Sequence, residues 1–127
     1  MKKILIAEDD KFLANAYRVK LTKAGFDIRI AKHGQETMDI LGTFKPDLIL
    51  LDLVMPIKDG FIVLNEIKNN PQLKSIPVLI ASNLGQKEDI DKGMAMGAAD
   101  YVVKSNLSME KLIEKINSLL GIQESKI

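Results

Sequence analysis

Four short apolar runs in this chain each stop at polar residues able to do chemistry together. Ile4-Leu5-Ile6-Ala7 stops at Glu8, Asp9 and Asp10, and Leu48-Ile49-Leu50-Leu51 stops at Asp52. Pro77-Val78-Leu79-Ile80-Ala81 stops at Ser82, and Tyr101-Val102-Val103 stops at Lys104. Carboxylates brought to one place repel: two unit charges about 4 Å apart cost on the order of 4 kcal/mol at an effective dielectric near 20. A hard divalent cation relieves that repulsion. A ligand set of oxygens, with no cysteine and no suitably placed histidine, points to Mg²⁺ rather than zinc. A carboxylate beside Mg²⁺ can attack a phosphoryl group. The transition state spreads charge over three equatorial oxygens, so catalysis is positioning and neutralisation. Mg²⁺, Lys104 and the Ser82 hydroxyl supply one partner for each oxygen, which is a complete site for making an acyl phosphate on Asp52.

The elements that must carry these residues are legible around them. The apolar runs read as buried strands, and amphipathic stretches separate them. Leu13, Tyr17, Leu21 and Ala24 recur at helical spacing, with Gly25 as the stop. Phe26, Ile28 and Ile30 alternate with Asp27 and Arg29, as in a half-exposed edge strand that ends at Lys32 and His33. Residues 34–41 form a short helix with Met38 and Leu41 on one face. Met55-Pro56-Ile57-Lys58-Asp59-Gly60 carries turn residues. Residues 61–69 read as a helix with Ile62, Leu64 and Ile67 inward, closed by Pro71. Residues 87–96 make another, stopped near Gly97, its charges solvated and its Met94 and Met96 divided between core and surface. Ser108 caps a last helix through Leu120 with Leu112, Ile113, Ile116, Leu119 and Leu120 inward. Gly121 ends it, and residues 122–127 read as a loose tail.

Continuous apolar strands alternating with helices imply an α/β domain with a parallel sheet covered on both faces. All strand C-termini then lie on one edge, where open α/β sheets bind ligands at the point of strand-order reversal. With order 2-1-3-4-5, the first and third strands flank that point and deliver the carboxylates.

Bulk properties agree. The chain has 127 residues, 46% hydrophobic and 28% charged, which suits one globular domain. A net charge of +1, with only Arg18 and Arg29 among 18 basic residues, supports neither a nucleic-acid surface nor a membrane surface. The absence of cysteine excludes disulfides and thiolate chemistry and fits a reducing, cytoplasmic setting. No apolar run approaches the ~18 residues of a membrane span. The N-terminal run is shorter than the ~7 to 15 residues of a signal segment and leads straight into three acids.

The chain resembles the response-regulator receiver family over nearly its whole length. The resemblance rests on residues 3–10 (KILIAEDD), 46–56 (PDLILLDLVMP), Asp59-Gly60, Ala81-Ser82 and 97–104 (GAADYVVK), in matching order and spacing. It implies a single flavodoxin-like doubly wound domain, residues 1–121, with five parallel strands and five helices. It also implies Asp52 as phosphoacceptor, Glu8 and Asp9 as the acidic pocket, and the Val54 backbone carbonyl as a further Mg²⁺ ligand. Ser82 becomes the switch hydroxyl, Tyr101 the switch aromatic and Lys104 the phosphate-contacting base. Expected partners are a histidine kinase or histidine phosphotransfer protein, and a downstream protein on the face of the fourth helix, fifth strand and fifth helix. A monomer or a weak phosphorylation-dependent dimer follows, with no enzymatic activity beyond its own phosphorylation and dephosphorylation. Two positions depart from the family pattern: Ser105 stands where proline is usual, and Asn83 where a small residue is common.

Two enzyme-like alternatives fit less well. A phosphatase with an Asp nucleophile, as in haloacid-dehalogenase-like enzymes, would need Asp-x-Asp, but position 54 is Val and no residues remain for a cap. A nucleotide-binding fold would have a Gly-rich first turn rather than Glu8-Asp9-Asp10. Met1 and the short tail favour a stand-alone regulator over a piece of a longer DNA-binding or enzymatic one.

Overall fold

The computed structural model describes residues 1–122. Five parallel strands alternate with five helices: β1 Lys3–Ala7, α1 Lys11–Lys23, β2 Asp27–Ala31, α2 Gly34–Leu41, β3 Leu48–Leu51, α3 Gly60–Lys68, β4 Val78–Ser82, α4 Lys87–Ala95, β5 Asp100–Val103 and α5 Met109–Leu120. A 3₁₀ turn over Lys104–Asn106 joins β5 to α5. The sheet order is β2-β1-β3-β4-β5, the flavodoxin-like arrangement expected.

Side chains alternate across each strand, so one apolar run feeds two cores. Leu5, Ile49, Leu51, Val78 and Ile80 pack against Leu41, Val63, Leu64 and Ile67 of α2 and α3. Ile4, Ile6, Leu48, Leu50 and Leu79 pack on the other face against Tyr17 and Leu21 of α1 and Leu112 and Ile116 of α5.

Local chemistry sets the helix starts. Asp10 caps α1 through bonds from the N–H groups of Phe12 and Leu13, Asp59 caps α3, and Ser108 caps α5. Gly121 closes α5 at φ +71.

Side-chain placement refines the periodicity reading at four places. Ile62, assigned inward, is exposed, and Val63 takes the core position: capping at Asp59 starts α3 at Gly60 and turns Val63 to the sheet. His33, at the end of the edge strand, is half-buried and caps α2, its Nδ1 accepting the Glu36 N–H at 3.1 Å. Met94 is the exposed methionine of the pair, and Met96 packs on the core. Ile122, placed in the tail, packs against the α1–α5 core, its N–H donating to the Asn117 carbonyl at 2.8 Å. The rest of the expected tail, residues 123–127, lies outside the described residues.

Candidate functional site

Strand register brings the carboxylates together. Ala7 pairs with Leu51, so the residues that follow, Glu8 and Asp52, emerge side by side. The Asp52 N–H donates to the Ala7 carbonyl at 3.0 Å, and the Glu8 N–H to the Ala31 carbonyl at 3.0 Å. Each carboxylate therefore leaves the sheet from a backbone that is still paired. Glu8 and Asp52 are buried, whereas Asp9 is exposed. Carboxylate oxygens of all three lie within 4.8 Å of one another. Asp10 is not in the group, because its side chain is committed to the α1 cap.

Among the described residues, one cation reaches this cluster. Lys104 Nζ lies 3.1 Å from Asp52 Oδ2 and also donates to Glu8 Oε1. Peptide bonds among the described residues are all trans, so Ser105 follows Lys104 through a trans bond and the ammonium still arrives at Asp52. Lys104 is the first residue of the 3₁₀ turn that follows β5.

Three carboxylates against one ammonium leave an excess of negative charge in a largely buried place. Burial pushes the Glu8 carboxyl up to about 7, Lys104 tempers the rise and the Asp52 charge adds to it. For Lys104, burial opposes the charge, but its hydrogen bond to Glu8 and the carboxylates of Asp52 and Glu8 outweigh it and hold the ammonium above its ordinary range. These donors fit a divalent ion: oxygens only, charge in excess, and spacing short enough to converge on one cation. Among the described residues this is the only such group of three.

Ser82 and Tyr101 sit one and two strands away. Ser82 is fully buried, and its Oγ accepts the Leu84 N–H at 3.2 Å. Tyr101 is half-buried and donates its hydroxyl to the Leu84 carbonyl. Its ring lies beside Gly93, the one buried residue of α4. At position 54 it is the backbone N–H that meets Asp52 Oδ1, at 3.4 Å, while the side chain is exposed. Asn83 also points to solvent.

Tyr17, which helical spacing identifies only as core, lies near enough to the acids that burial and the charges of Glu8, Asp52 and Asp10 all raise its hydroxyl pKa. Its signal in sequence was faint: the residue falls two turns into the helix that Asp10 caps.

The family model for the response regulator receiver domain matches residues 4–117. The chain belongs to the response regulator receiver family. As a receiver domain it is a signalling module of two-component systems, and receivers take their phosphoryl group from histidine kinases or phosphotransfer proteins. Its similarity to solved receivers is close. The Francisella response regulator 1452 receiver domain superposes with a TM-score of 0.88 at 32% identity, covering 95% of this chain and 98% of that one. A two-component response regulator from Clostridium difficile gives 0.89 at 26% identity, covering 98% and 100%. Among curated proteins, the DNA-binding dual master transcriptional regulator RpaA of a Synechocystis strain is 34% identical over 120 residues, 94% of this chain but 49% of RpaA. A probable cyclic di-GMP phosphodiesterase of Vibrio cholerae is 37% identical over 101 residues, 80% of this chain and 23% of that protein. This receiver thus spans half or less of the length of those curated relatives. No helix among its described residues is long and apolar enough to cross a membrane.

Proposed function

We propose that this receiver accepts a phosphoryl group on Asp52 and converts it into altered partner affinity through Ser82 and Tyr101. The observation that carries the reading is the buried Asp52 carboxylate, 3.1 Å from Lys104 Nζ and grouped with the oxygens of Glu8 and Asp9. Glu8, Asp9, Asp52 and the Val54 carbonyl would hold Mg²⁺, which when bound neutralises charge on the transferring phosphoryl group. An Asp52 oxygen attacks phosphorus in line as the bond to the donor's histidine nitrogen breaks, and that electron pair returns to the imidazole. Lys104 then shifts its hydrogen bonds toward the phosphoryl oxygens, and the Ser82 hydroxyl donates to another. The activity is confined to the domain's own phosphorylation and dephosphorylation, in the cytoplasm.

Apolar side chains around this edge support docking of a protein donor. Phe12 is 90% exposed, Ile57 77% and Val54 58%, all on loops or helix starts beside the acids. The output surface is the face of α4, β5 and α5, where Tyr101 and the weakly buried α4 meet. Incubation with acetyl phosphate and Mg²⁺ should add one phosphoryl group with the alkali lability of an acyl phosphate. Asp52→Asn should abolish it; labelling that persists in that variant, or that needs no divalent ion, contradicts the assignment.

A further inference from the structure

The loop between β3 and α3 is held in a strained shape by contacts at its base and on both flanks. Ile57 is the one described non-glycine residue with positive φ, at 70°. The Lys58 N–H donates to the Pro56 carbonyl at 2.7 Å, across that single residue. This is the strained γ-turn form, and a β-branched side chain at its centre makes it worse. Such a conformation persists only where its surroundings over-determine it.

Three contacts do so here. At the loop's base, the Gly60 N–H donates to the Leu53 carbonyl at 2.9 Å, and a Cβ at Gly60 would stand 2.2 Å from the Asp52 carbonyl oxygen. On one flank, Lys58 Nζ pairs with both oxygens of Glu66 in α3, at 2.8 and 3.0 Å. On the other flank lies α2. Gly34, its first residue, is buried against the loop, and a Cβ there would stand 1.9 Å from the Lys58 carbonyl oxygen and 2.6 Å from Lys58 Cβ. No side chain fits in that space. His33 fixes the position of Gly34 by capping the same helix.

We propose that Gly34 is a positioning residue for the Asp52 site: its bare Cα admits the Lys58 backbone, which holds the strained 55–59 loop and, with it, the Leu53-Val54 segment against Asp52. The inference rests on the reading of Asp52 and Val54 given above. A side chain at position 34 pushes Lys58 outward, the turn at Ile57 relaxes, and Val54 moves relative to the carboxylate it now meets at 3.4 Å.

The test is Gly34→Ala in the full chain, followed by amide NMR, thermal unfolding and Mg²⁺ titration. Without metal, the shifts should change at residues 52–58 and the start of α2 while those of β4 and β5 stay. Apparent Mg²⁺ affinity should fall about tenfold, which is about 1.4 kcal/mol. Adding Ile57→Gly, which lets the loop settle in its displaced position, should recover much of that loss. A folded Gly34→Ala with native amide shifts at 52–54 and native affinity overturns the proposal. If Gly34→Ala does not fold, Lys58→Met removes the opposite tether and should perturb the same amides with a smaller loss of affinity; unchanged amides at 52–54 there overturn it equally. A native protein that binds no Mg²⁺ would instead overturn the phosphoacceptor reading, and the metal-free amide shifts would still decide the role of Gly34.

Discussion

Ser82 and Tyr101 are joined through a single residue: Ser82 Oγ accepts the Leu84 N–H at 3.2 Å, and the Tyr101 hydroxyl donates to the carbonyl of the same Leu84. Tyr101 is half-buried over the β4–α4 loop, with burial raising its hydroxyl pKa. The link therefore runs through the N–H and the carbonyl of one residue, in two successive peptide groups, and on the proposed reading a Ser82 drawn toward a phosphoryl oxygen would release the first of them.

Beryllofluoride with Mg²⁺ should accordingly shift NMR signals from Asp52 to Ser82, Leu84, Tyr101 and α4, as a population shift between two packings. In Ser82→Ala the changes near Asp52 should remain and those at Tyr101 should fall away. Equal responses at Tyr101 in both proteins mean that the coupling bypasses the hydroxyl.

Glu8 makes stability and metal binding depend on pH in opposite directions. Its folded pKa of about 7 lies above the ordinary 4.5, so the metal-free fold holds a proton that the unfolded chain has lost. That contribution is complete below pH 4.5 and disappears as pH rises through about 7. Native protein minus Glu8→Gln, measured by denaturant unfolding without metal, should lose on the order of 2 kcal/mol across that window. Mg²⁺ affinity should instead rise over the same range, since the ion needs the ionised carboxylate. A difference curve that is flat with pH excludes Glu8 as the titrating group.

Neither the exposed Val54 side chain nor Leu84 can hold a hydrolytic water by hydrogen bonding. Val54→Asn supplies such a group beside Asp52, and a hydrogen bond worth about 1 kcal/mol in the transition state corresponds to roughly fivefold faster phosphate release. Release kinetics of the phosphorylated pair measure this. An equal or slower rate in Val54→Asn removes side chain 54 from control of water access.

Phe12 separates docking from chemistry. Phe12→Asp should leave phosphorylation by acetyl phosphate near native, because the side chain is 90% exposed and makes no contact that positions the acids. Transfer from the cognate histidine kinase, identified by phosphotransfer profiling, should weaken by about 2 kcal/mol, or roughly thirtyfold. Parallel losses with both donors would place Phe12 in the site itself.

Strand and helix identity, the parallel sheet and the polar residues of its edge were all legible in the sequence. Each apolar run is short, unbroken and closed by a chemically capable residue, so periodicity and position carry the information locally. The 34–41 helix and the 48–51 strand appear with the expected bounds. Positions decided by competition between neighbours were not legible. Three acids follow β1, and the family resemblance alone picks out Glu8 and Asp9; the tertiary structure supplies the reason, since Asp10 is taken by the α1 cap while Glu8 and Asp9 meet Asp52. Ile62 and Val63 are equally apolar, and the cap at Asp59 chose between them. Lys104 opens a 3₁₀ turn after β5 and meets Asp52 with the following bond to Ser105 trans, and no residue type announces that turn. The Gly34–Lys58 contact joins segments whose separation in sequence hides it; a missing Cβ has meaning only once the atom that fills its space is known.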